Sequence, residues 1–252
     1  MRFLYFPLLY LIHTRIKSTS EKLSWFIIYL LPVLILNFNI DDKKTIITTM
    51  MSVFFVYLFY EIGYIFNDAF LIKKEKKPTL RLSINEIEYI NNSISIILLY
   101  RTIIAVLLLA IFYFFQLHII PAILCSVSIL ATYYFYNNTR NDFSFFLYYL
   151  LISLRFFTPF IIIGTEIPLW MFFMQPLLAS LEYAGKKSLF QSIFNCFISK
   201  KDIYRTIWYS FILTLYLIYC FYIGSINIPL LFVMLLYFFF RLTIFLFLLK
   251  NK

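Results

Sequence analysis

Charge is scarce in this chain. Of its 252 residues only 13% are Asp, Glu, Lys or Arg, against about a quarter in soluble domains of ordinary composition. There is no low-complexity tract and no polar stretch long enough to be an appended soluble domain. Cysteine is limited to Cys125, Cys196 and Cys220, which lie in or near apolar stretches without CxxC spacing. They read as packing residues, which excludes a disulfide framework and a thiolate metal site. The net charge of +10 does not signal a nucleic-acid binder, because the basic residues are scattered between apolar segments and build no solvated patch.

Apolar surface is what the chain has. Hydrophobic residues make up 63% of it and the mean hydropathy is +0.87, more than a soluble core can absorb. Roughly 20 apolar residues cross about 30 Å of hydrocarbon, where only helices and closed barrels satisfy the backbone. The runs are continuous and not alternating, which favours helices over a barrel. The expected fold is all-α: a polytopic bundle of eight to nine transmembrane helices, one domain over 1–252. Runs at 24–39, 46–66, 94–115, 118–136, 143–163, 166–181, 206–223 and 227–249 are the candidate spans. The first and sixth are short, and Pro32, Pro168 and Pro176 are placed to bend or break them. Residues 1–22 are expected as an interfacial segment: Phe3 to Ile12 is short, follows a single Arg2 and lacks a small-residue cleavage site, and Thr14 to Ser18 suits a headgroup layer.

Basic residues fix the orientation. They gather before the first run, after the second, fourth and sixth, and at Lys250 and Lys252, whereas the opposite side holds Lys43 and Lys44 offset by Asp41 and Asp42. An inner-membrane protein with both termini cytoplasmic is expected. The hydrophilic loops long enough to hold a site, 67–93 and 182–205, share that side.

Chemistry concentrates after the second run. Tyr57, Glu61, Tyr64 and Asp68 share a helix face by their spacing, and carboxylates at membrane depth mark function unless they are paired. Acids followed by Lys73, Lys74, Lys76 and Lys77 suit a phosphate bridged by Mg²⁺. Arg155 falls near mid-membrane, where a phosphate or Glu61 is the expected partner. Arg101 and Arg241 are expected to snorkel, Glu182 and Lys186 form an i, i+4 pair, and His13 and His118 carry no role.

Gly63-Tyr64 followed by Asn67-Asp68, Glu75 and Arg81 resembles the first aspartate-rich motif of the UbiA superfamily of intramembrane prenyltransferases, with Leu71 in place of its middle acid. Tyr134 to Arg140, Leu154-Arg155, Pro168 to Trp170 and Glu182 to Lys187 follow in an order similar to the branch that makes polyprenyl-phosphoryl phosphoribose. The resemblance implies a helical bundle around a cytoplasm-facing cavity. It implies Mg²⁺ at Asp68, Asn67 and Glu75 as the catalytic, metal-holding set. Glu61, Tyr64, Lys73, Lys74, Arg81, Arg140, Arg155, Glu182 and Lys186 then bind substrate. The partners are a polyprenyl phosphate or diphosphate and a phosphorylated water-soluble co-substrate, with phosphoribosyl diphosphate the favoured donor, in cell-envelope chemistry. Two alternatives stand beside it: a degenerate, non-catalytic polyprenyl-lipid binder, supported by Leu71, and a transporter or flippase for a lipid-linked anion.

Overall fold

The computed structural model describes residues 1–38, 44–72, 79–139, 143–186 and 191–250. Among them there is no strand. Seven helices are long and apolar enough to cross a membrane: α2 (Thr19–Asn37), α3 (Lys44–Leu71), α4 (Ile84–Phe114), α5 (Ile119–Asn138), α6 (Ser144–Ile163), α8 (Lys201–Ile223) and α9 (Ile228–Lys250). Among the shorter helices, α1 (Leu9–Thr14) and α7 (Gln175–Ala184) bear on the site. The chain is an integral membrane protein with an all-α fold. Ile96, Leu99, Ile103 and Leu107 on one side of α4 stay exposed, as lipid-facing residues do.

Against the eight to nine spans expected, seven helices among the described residues are continuous over a full crossing, and the sixth apolar run is the one that differs. Between Pro168 and Pro176 it forms a single 3-10 turn, Leu169–Phe172, and then the ten-residue α7. The segment nevertheless follows α8 along much of its length. Trp170 packs on Tyr216 and Tyr219, Tyr209 donates to Gln175 at 2.6 Å, and Arg205 pairs with Glu182.

Helix starts are written locally. Ser18 and Glu21 form a reciprocal capping box at the head of α2, and Ser83 and Glu86 do the same for α4. The second box starts α4 ten residues before the apolar run begins, so 84–93 of the expected 67–93 loop is helix.

Two prolines inside spans are compensated in one way. Pro32 and Pro159 carry no N–H, so the carbonyls of Ile28 and Arg155, one turn earlier, lose their helical donors. Tyr237 donates to the Ile28 carbonyl at 2.6 Å and Tyr29 to the Arg155 carbonyl at 3.1 Å. Lipid offers no water for this task, so a neighbouring helix supplies the hydroxyl. A π turn over Phe26–Leu30 adjusts α2 just ahead of Pro32.

The first seventeen residues pack against the bundle. Leu4, Tyr10, Leu11 and Thr14 are buried, and hydrogen bonds tie the segment to the spanning helices. Arg101 donates to the Leu4 carbonyl (2.9 Å), Glu61 accepts from the Leu11 amide (2.8 Å), Tyr5 bonds Tyr89 (2.6 Å) and His13 meets Glu86 (2.7 Å). The segment expected at the headgroup layer thus presents backbone groups and tyrosine hydroxyls to buried partners. Arg101 and Arg241, expected to snorkel, are instead buried in the protein. The central core joins Tyr29 and Val33 of α2, Tyr57 of α3, Phe156 and Phe160 of α6 and Tyr237 of α9.

Candidate functional site: a cationic, tyrosine-lined cavity

At its lower end α3 widens into a π turn over Asn67–Leu71, a feature that often marks functional positions. The turn holds Asp68 inside the protein, 1% exposed. Arg15 Nη2 reaches both carboxylate oxygens, at 2.9 and 2.8 Å. Tyr10 donates at 3.0 Å, the Asn67 amide at 3.2 Å and Arg81 at 3.4 Å. Burial pushes the Tyr10 phenol above its ordinary pKa, and the Asp68 charge holds the proton more firmly still. Burial opposes the Arg15 charge, but Asp68 and the surrounding phenols outweigh it and raise the guanidinium's pKa. Tyr64 lies 4.3 Å beneath that guanidinium.

Beside this cluster lies a cavity of about 530 Å³. Arg15, Arg81, Arg155 and Lys186 line it, with Tyr60, Tyr64, Tyr133, Tyr136, Tyr148 and Tyr183, and Asn67, Asn137 and Thr79. Along α6 its lining runs from Tyr148 to Arg155, about 10 Å by helical rise.

Arg155 is the distinctive group. Its guanidinium stands 5.1 Å from the Tyr29 ring centre and 5.4 Å from that of Tyr60. Its Nε is buried without a hydrogen-bond partner, and no ion pair to Arg155 occurs among the described residues. Asn137 also leaves a buried acceptor, Oδ1, unpartnered in the same wall. Buried polar groups without a protein partner call for a physical explanation, and water, an ion or a polar ligand group in the cavity supplies one.

An apolar groove of about 340 Å³ opens on the other side of that wall. Ile62, Gly63, Phe66, Phe70 and Leu71 of α3 and Leu130 and Tyr134 of α5 form it, and it shares Tyr133 and Asn137 with the cavity. The helices meet here because residue 63 is glycine: a Cβ would land in the Tyr133 ring.

The expected site residues divide. Tyr64, Asn67, Arg81, Arg155 and Lys186 line the cavity, and Asp68 sits behind its wall holding Arg15. Glu61 does not face it: 0% exposed, it is paired with Arg101 at 2.9 Å and accepts the Leu11 amide. Its expected place in substrate contact gives way to a structural ion pair. Glu182 pairs with Arg205 and Lys201 instead of Lys186. Lys73, Lys74, Glu75 and Arg140 lie outside the described residues. Arg15 and most of the tyrosines were missed. The tyrosine signal was present in the spacing of Tyr57, Tyr60 and Tyr64 and of Tyr133 and Tyr136; Arg15 had none, since its stretch reads as a surface segment.

The described residues do not fit Mg²⁺ at Asp68. That ion takes oxygen ligands in octahedral array, whereas a guanidinium spans both oxygens of Asp68 and a second reaches one of them. Among the described residues no three His, Cys, Asp or Glu side chains gather as a metal site. Comparison of the chain with protein-family models, with curated proteins and with solved structures finds no match.

Proposed function

We propose that this chain binds the phosphate or diphosphate head of a polyprenyl-type lipid and works on it as a UbiA-like intramembrane transferase. One observation carries the reading: a cavity walled by Arg15, Arg81, Arg155 and Lys186 shares Tyr133 and Asn137 with an apolar groove. Together the two spaces suit an amphiphile. A free phosphate has no use for the groove, and a neutral lipid has no use for four cations. Guanidinium groups match phosphate oxygens in geometry and keep their charge when buried.

The basic mouth of the cavity faces the cytoplasm in this reading, both termini lie there, and the broken 165–184 segment makes an eighth crossing. In transfer, a lipid phosphate oxygen bonds to C1 of the ribose of phosphoribosyl diphosphate as the C1–O bond to diphosphate breaks. The protein's part is to hold both phosphates at once and to neutralise the departing diphosphate with Arg81, Arg155 and Lys186.

A second reading, a lipid-binding relative without turnover, is favoured by the consumption of the Asp68 carboxylate by Arg15, Arg81 and Tyr10. The transporter reading, which rests on Glu61 and Arg155, keeps Arg155 in the cavity but loses Glu61, which Arg101 satisfies away from it. Native mass spectrometry of the purified chain with undecaprenyl phosphate, followed by a diphosphate-release assay on adding phosphoribosyl diphosphate, separates these. Binding with release supports the transferase, binding without release the lipid binder, and no binding overturns both.

A further inference from the structure

We propose that the Arg15–Asp68 pair takes the place of a divalent cation, so that the site grips a lipid phosphate through its side-chain cations without a metal ion. The inference rests on the head-group reading above and concerns how that head is held. A carboxylate buried at 1% exposure can serve a metal only if its oxygens are free to bind one. Both oxygens of Asp68 are covered by Arg15, one also by Tyr10 and the other by Arg81. A Mg²⁺ ion there has to expel Arg15 or sit against it, leaving one carboxylate to offset two positive centres in a water-poor place.

The same contacts make good sense as a cation holder. Asp68 fixes the guanidinium from one side, Tyr64 stacks 4.3 Å beneath it, and the group lines the cavity together with Arg81 and Arg155. Arg15 also arrives from outside the spanning helices, on a segment tied to the bundle through Leu4 and Leu11. Positive charge is thus delivered to the phosphate site by a piece of backbone. Asp68 is a positioning residue in this scheme.

The test is a titration of the full chain in detergent with undecaprenyl phosphate, read by native mass spectrometry, with excess Mg²⁺ and with EDTA. The expected result is the same dissociation constant in both buffers. In EDTA, Arg15→Ala weakens binding by about tenfold or more, the worth of a charge-assisted hydrogen bond, and Arg15→Lys, which keeps the charge, loses less. Binding that collapses in EDTA and returns with Mg²⁺ overturns the inference while leaving the head-group reading in place. No binding in either buffer overturns both. Should Arg15→Ala fail to fold, the wild-type comparison between buffers still decides.

Discussion

The hydroxyl of Tyr29 donates to the carbonyl of Arg155, the group that Pro159 deprives of its helical partner. One tyrosine on α2 thereby repairs the backbone of α6 at the residue whose side chain floors the cavity. Tyr29→Phe should lower stability by about 1–3 kcal/mol, the cost of stranding a buried acceptor. Adding Pro159→Ala restores an N–H and should recover most of the loss. A thermal-melt cycle of the single and double variants in detergent checks this; strictly additive losses would show that the hydroxyl does not serve that carbonyl.

Arg101 binds Glu61 and the carbonyls of Leu4 and Leu58 from a fully buried position. Breaking such a pair from one side leaves a charge in the interior, at a cost of about 3–5 kcal/mol. Arg101→Met should therefore unfold the chain far more readily than Arg101→Met with Glu61→Leu. Limited proteolysis near Leu8 should report loosening of the first residues in the single variant. Equal melting of the single and double variants would remove the pair from the list of structural supports.

Arg155 has ring contacts but no ion pair among the described residues to lose. Arg155→Leu is expected to melt like the wild type while its affinity for undecaprenyl phosphate drops by about tenfold or more. A variant that unfolds instead, or binds the lipid undiminished, contradicts the role given to this residue.

Alkali should act through Tyr10. Its folded pKa lies above the ordinary 10.0, so the folded state holds this proton more tightly than the unfolded chain does. The stabilisation is complete below that ordinary value and fades as pH climbs towards the folded one. Melting temperatures of wild type and Tyr10→Phe, followed from about pH 8 to 11, should differ most at the lower end and converge at the upper. A gap that stays constant with pH would falsify the linkage.

The seven continuous spans were legible because hydropathy over twenty residues outweighs any local ambiguity. The interrupted run at 166–181 was legible as a weak point, since Pro168 and Pro176 are visible in it, but its companionship with α8 depends on Tyr209 and Arg205, remote in sequence. Arg101 was misread for a local reason. With the apolar run starting at 94, Arg101 fell about two turns from its end; the Ser83–Glu86 capping box starts the helix ten residues earlier. At the site, Asp68 and Arg155 stood out because charge is conspicuous in apolar surroundings. Arg15 did not, because nothing in a short mixed stretch reveals that it folds back between helices.

The π turn at Asn67–Leu71 also bears on how faces along α3 are counted. Such a turn holds one residue more than a regular α-helix over the same hydrogen-bonded step, and one residue is worth about 100° of rotation. A helical count carried along α3 from Tyr57 therefore holds as far as Phe66 and goes out of phase within the turn, where Leu71 lines the apolar groove.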